Sequence, residues 1–203
     1  MTVHGRQRAG HPAERGITLV ELLIYSGLSV LVLSLVGGML VSSFSAQSRV
    51  SERSQASSVG QIIAQSVHAG VRAATELKLT SASTGQLLVL TSLGTSTEIV
   101  TVCEAWYYTS LDGGAIYATR AAPTSARIVA PSAADLAAGT GGWALLGTGI
   151  QADQATPIFA LPTSTTLQLT FAVNSGADSA PVRIATTSTS RGNQAEPNTC
   201  FAP

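Results

Sequence analysis

Charge is scarce in this chain. Asp, Glu, Lys and Arg make up 11% of its residues, and 11 basic side chains balance 11 acidic ones. A nucleic-acid binder carries a basic patch or stripe, so no direct nucleic-acid site is expected. Aromatic residues are rarer still, at 5%. Abundant aliphatic residues and alanine nevertheless argue against a disordered chain. Histidine is confined to His4, His11 and His68, and cysteine to Cys103 and Cys200. Zinc sites need several such ligands at characteristic spacing, and that spacing is missing. The chain also lacks a Gly-x-Ser-x-Gly elbow, a phosphate-binding glycine loop and a His-Glu-x-x-His pair. Beyond residue 16 a Ser–His–acid triad would have to use His68, which falls in a helical stretch and reads as a packing or surface residue. Catalytic residues, metal ligands and cofactors are therefore all expected to be none. Asp112, Asp135, Asp153 and Asp178 lie in Gly/Ser/Ala-rich loops. Their oxygens suit calcium, but without EF-hand spacing they read as ordinary loop aspartates.

The most informative stretch runs from Gly16 to Phe44. Between Leu22 and Phe44 no residue is charged. A helix of that length spans about 34 Å, enough for a bilayer core. Just inside its start stands a single carboxylate, Glu21, which is costly at a lipid boundary unless it has a partner or a purpose. Arg6, Arg8 and Arg15 precede the span against Glu14. That positive leader puts residues 1–16 in the cytoplasm and the remainder outside. Arg49 and Arg53 follow the span and weaken this asymmetry a little. A cleaved secretory signal is the rival reading, with small residues around Ser43-Phe44-Ser45. Its apolar region would be unusually long, and Glu21 unusual within it.

The run Gly16-Ile17-Thr18-Leu19-Val20-Glu21-Leu22-Leu23 resembles the processing site of type IV pilins and type II secretion pseudopilins. The resemblance covers residues 5 to about 45. It implies cleavage between Gly16 and Ile17 by a prepilin peptidase, N-methylation of Ile17, and retention of the apolar helix. It further implies that Glu21 pairs with the new amine of a neighbouring subunit and sets the axial register of assembly. The implied partners are the peptidase, other pilin subunits in a homo- or hetero-oligomeric filament, an inner-membrane assembly platform and membrane lipid. Two departures stand out. Ile17 takes the place where major pilins usually carry phenylalanine, and Gly37-Gly38 stands where they tend to place a proline. The glycine pair suits either a local bend or close helix packing.

Beyond the span, Val59, Ile63, Val67, Val71 and Ala74 recur at helical spacing. A helix is expected to continue through 46–79 and to lay this stripe on a sheet, although Gly60 and Gly70 weaken it. Ile62, beside the stripe, is a candidate for packing between subunits. From 80 to 203 the pattern is that of strands. Gln86–Thr91 reads as a buried strand, and Glu98–Cys103 continues through Tyr108. Asp112-Gly113-Gly114 supplies a turn, and Ala115–Arg120 returns. This hairpin resembles the central hairpin of larger minor pilins and J-type pseudopilins. Trp106 and Tyr108 share one face of their strand, a core face in preference to a binding patch. Ala126–Ala130, Trp143–Leu146, Thr165–Val173 and Val182–Thr186 are further strand candidates. Cys103 and Cys200, an even pair in an exported domain, suggest a disulfide that pins the polar tail. Two buried free thiols are the alternative. Closing a loop of roughly a hundred residues is worth about 4–5 kcal/mol in the chain-entropy model.

The expected fold is therefore α+β and pilin-like. A leader (1–16) is removed. A transmembrane and assembly helix (17–45) and its amphipathic continuation (46–79) then lead into a β-rich head (80–203). The expected role is a structural, non-enzymatic minor pilin or pseudopilin in a pilus, secretion or DNA-uptake filament. It would be held in the bacterial cytoplasmic membrane and then in a cell-surface or periplasmic filament. A single-pass surface-binding protein that forms no filament is the alternative.

Overall fold

No proline occurs between Pro12 and Pro123, so nothing covalent interrupts a helix in the N-terminal third of the chain. The computed structural model describes residues 18–82, 85–93, 101–121, 127–154, 156–177, 179–192 and 200–201. Its first element is one long helix, α1, Leu19–Ala73. Thr18 caps it. The Leu22 N–H donates to the Thr18 carbonyl at 3.1 Å, and the Glu21 N–H donates to Thr18 Oγ1 at 3.3 Å. The chain divides into two compact units after Gln47.

In the unit from Ser48 onward, α1 buries Ala56, Gly60, Ile63, Val67, Gly70 and Val71, spaced alternately four and three residues apart until the last. That spacing makes one seam along the helix. The two glycines belong to the seam and do not interrupt it. A Cβ at Gly60 would meet Ile184 Cγ1 at 2.8 Å, and one at Gly70 would fall inside the indole of Trp106. Glycine is thus the residue that lets the strands approach the helix at these two levels.

The helix ends at Ala73, six residues short of the expected boundary at 79. From Ala74 the side chains alternate: Leu77 is buried and Leu79 packs on the core, while Lys78 and Thr80 face outward. A period of two in a segment rich in β-branched and aliphatic residues favours pairing over another helical turn. Ala74, expected as the last helical residue of the stripe, is fully buried as the first residue of a strand.

Five antiparallel strands form the larger sheet in the order β1-β2-β3-β4-β5. They are β1 (Ala74–Ala82), β2 (Gly85–Leu93), β3 (Thr101–Thr109), β4 (Ala115–Ala121) and β5 (Ala144–Thr148). The expected strand from Glu98 begins within the described residues at Thr101; Glu98, Ile99 and Val100 lie outside them. The β3–β4 hairpin is as expected, with Thr109 opposite Ala115. Its turn runs through Asp112, Gly113 and Gly114 at φ values of 51°, 83° and 84°. At Gly114 a side chain is excluded twice, by the positive φ and by the Ile150 carbonyl packed against its Cα.

A second sheet contains β6 (Ile150–Gln151), β7 (Phe159–Thr163), β8 (Thr166–Val173) and β9 (Val182–Thr189). Its order is β6-β8-β7, with β9 pairing with β8. Leu167, Leu169, Phe171 and Val173 alternate inward along β8 and are all buried. The Gln86 side chain stitches the two sheets together. Its Nε2 donates to the Phe159 carbonyl at 3.1 Å, and its Oε1 accepts from the Phe159 N–H at 3.0 Å.

β2, inside the larger sheet, is buried on both faces, which is why it reads as a continuous apolar run. Leu88, Leu90, Trp106 and Ile116 join the α1 seam and the second sheet in the main core. Leu87, Val89, Cys103 and Ala105 form a second cluster on the opposite face with Ile128 and Cys200. Cys103 and Cys200 are disulfide-bonded, with Cα atoms 5.5 Å apart across a separation of 97 residues. The short strand expected over Ala126–Ala130 is not formed at residues 127–130; Ala126 lies outside the described residues. The Ile128 N–H instead donates to the Cys200 carbonyl at 3.3 Å, so the disulfide-held tail takes the place of a sheet partner. A short helix unforeseen in the sequence, α2 (Ala133–Ala138), follows. The whole is the α+β architecture expected, a long N-terminal helix packed through its second half on an antiparallel sheet.

Candidate functional site

In the unit up to Gln47, every large apolar side chain from Leu19 to Phe44 is at least 48% exposed. A soluble protein's core helix of this composition would be mostly buried, whereas none of the most apolar window of α1 is. An exposed apolar surface on this scale marks contact with lipid or with other protein chains. This segment of α1 is long and apolar enough to be a single membrane span.

Four serines of the segment hydrogen-bond to their own helix. Ser26 Oγ donates to the Leu23 carbonyl at 2.9 Å and Ser34 Oγ to that of Val30 at 2.8 Å. Ser43 and Ser45 likewise donate to Met39 and Val41, at 2.8 and 3.0 Å. Hydroxyls satisfied by their own helix present no unpaired donor to a bilayer. Gly27, Gly37 and Gly38 have nothing within 4 Å of where a Cβ would stand.

Glu21 lies in the first turn, where a carboxylate complements the positive end of the helix dipole. Its Oε1 accepts a hydrogen bond from Tyr25 Oη at 3.3 Å, one turn further along the same helix. Tyr25 was not foreseen as a partner, although a residue four positions on always shares the face. Gly16 and Ile17, the expected cleavage and methylation positions, lie outside the described residues.

The remaining expected residues are scattered. Asp112 sits in the hairpin turn. Asp153 pairs with Arg183, and Asp178 lies outside the described residues. Asp135 closes a capping box at α2, with Ser132 Oγ donating to its Oδ2 at 2.6 Å. Hydrogen bonds from the Ser132 side chain, and then its backbone, hold the Asp135 carboxyl below its ordinary pKa. Among the described residues no three His, Cys, Asp or Glu side chains gather as a metal site. Ile62 is 53% exposed on α1, and His68 is half-buried.

Trp106 and Tyr108 do face the core side of β3. Trp106 is buried, and its Nε1 donates to Ser66 Oγ at 3.0 Å. Burial raises the Tyr108 phenol above its ordinary pKa. Tyr107, on the other face, meets Trp143 edge-on with ring centroids 6.1 Å apart. Glu104, half-buried, pairs with its exposed cross-strand neighbour Arg120 at 3.1 Å.

Comparison with protein-family models, with curated proteins and with solved structures finds no match to this chain. The functional reading therefore rests on the residues themselves.

Proposed function

We propose that this chain is a structural subunit of a type IV pilus or of a related secretion or DNA-uptake filament. In this reading a prepilin peptidase cuts between Gly16 and Ile17 and methylates the new amine. α1 then holds the subunit in the cytoplasmic membrane with the head outside, until an assembly platform extracts it. Neighbouring helices replace lipid around Leu19–Phe44, and Glu21 pairs with the Ile17 amine of another copy. The head is carried on the outside of the filament or at its tip. The role is that of a minor pilin or pseudopilin, for which the aliphatic Ile17 and the large two-sheet head are the supporting features.

The observation that carries this reading is the helix surface. An apolar segment wholly exposed on every side carries one acid in its first turn, directly behind a basic leader and the Gly16-Ile17 junction. An anchor alone has no use for that acid, whereas a partner chain bringing an amine does.

The test is mass spectrometry of the amino terminus of the protein purified from its own host. N-methylated Ile17 is the expected result. An intact leader would mean a single-pass anchored surface protein, and a chain starting at Ala46 a secreted one; either outcome refutes the proposal.

A further inference from the structure

Thr18 and Glu21 stand in the Thr-x-x-Glu register of a capping box. Only half of that box is made: the Glu21 N–H donates to Thr18 Oγ1 at 3.3 Å. In a full box the carboxylate turns back over the helix end to the cap N–H. α2 shows the complete form, with the Ser132 N–H donating to Asp135 Oδ2 at 3.2 Å and the Asp135 N–H to Ser132 Oγ at 3.2 Å. Glu21 instead receives Tyr25 Oη at 3.3 Å, so its carboxylate lies along the flank of α1. The apolar segment spends its neighbouring hydroxyls differently. Ser26, Ser34, Ser43 and Ser45 all donate to backbone carbonyls of their own helix. Tyr25 is the hydroxyl of this segment given to the one acid.

We infer that Tyr25 is a positioning residue for subunit pairing, an inference that rests on the filament role proposed above. A carboxylate can accept about four hydrogen bonds, and one from Tyr25 leaves the others for an incoming amine. Holding the long Glu21 side chain in one rotamer before the encounter removes part of the ordering cost of pairing. Both side chains are exposed, Tyr25 by 57%, so a second copy of the chain can reach the pair. The partner this arrangement fits is the free amino terminus of a second copy, delivered alongside α1 at the level of its first turn. A carboxylate folded back over the helix end would instead spend itself on its own backbone.

The experiment uses the full chain in its own host. Wild type, Tyr25→Phe, Glu21→Ala and the double variant are each co-expressed with a tagged wild-type copy. Mixed filaments then reveal even a weak subunit's share. Mass spectrometry reads the amino terminus of each and its proportion in sheared filaments. All four are expected to be processed alike at Ile17. Tyr25→Phe is expected to cut incorporation by about threefold to tenfold, the net range of one ordinary hydrogen bond, which suits an exposed contact of 3.3 Å. It is expected to have no further effect in the Glu21→Ala background. Wild-type incorporation of Tyr25→Phe overturns the inference alone. So does an equal loss in both backgrounds, which would mean that the ring acts by packing. Normal assembly of Glu21→Ala, or a wild-type chain absent from filaments, overturns the filament role and this inference with it.

Discussion

Replacing Gly70 by alanine sets helix propensity against packing at one atom. In an isolated helix Gly→Ala is stabilising by about 0.5–1 kcal/mol. Gly70 is buried in the α1 seam, and the added methyl would lie within the indole of Trp106, with Glu104 Oε2 at 3.1 Å. The indole has little freedom to retreat, being 3% exposed and tied by Nε1 to Ser66 Oγ at 3.0 Å. Overpacking a core position costs about 1–3 kcal/mol, and breaking the indole–serine bond costs about 1 more. Packing wins, and Gly70→Ala should destabilise the head by about 2 kcal/mol. For a chain of this size that lowers Tm by about 4–8 °C. The assay is thermal unfolding of the full chain in detergent micelles, followed by tryptophan fluorescence with the disulfide intact. Gly60→Ala is the comparison. There the obstacle is the flexible end of Ile184, with Cγ1 at 2.8 Å and Cδ1 at 3.1 Å, and a smaller loss is expected. A Gly70→Ala protein as stable as the wild type would refute the argument that glycine is required for close helix–sheet approach.

Breaking the Cys103–Cys200 bond with Cys200→Ser should cost up to about 4–5 kcal/mol, given its separation of 97 residues. Hydrogen exchange should locate the loosening first at the Ile128 amide, which bonds the Cys200 carbonyl. At α2 the lowered Asp135 pKa means that its ionised form is favoured by the fold. The capping box is therefore intact above the ordinary aspartate range and lost as pH falls through the lowered folded value. Carboxyl-carbon NMR of Ser132→Ala should show Asp135 titrating nearer its ordinary value; an unchanged titration would show that the serine is not the cause.

Much of this architecture was legible in the chain. The absence of proline and charge over Leu22–Phe44 dictated a helix with no apolar side left to hide, and all of it is exposed. The hairpin around Asp112-Gly113-Gly114 was equally plain, because positive φ at successive residues calls for that chemistry. The end of α1 was not. Ala74 continues the helical stripe while the segment after it alternates as a strand, and pairing with β2 decided between the two periods. Gly60 and Gly70 looked like weak points in the helix and proved to be contact points, since a glycine's role depends on what approaches it.

The sequence alone determined that an acid stands at the head of an apolar helix behind a basic stretch, since that is a matter of order along the chain. Only the tertiary structure decided which groups from distant positions meet. It brought Cys200 beneath β3, Ser66 under the Trp106 indole and Gln86 across to Phe159. These contacts join residues 40 to 97 positions apart. No local pattern encodes them, because they arise when two faces of one sheet must both be covered.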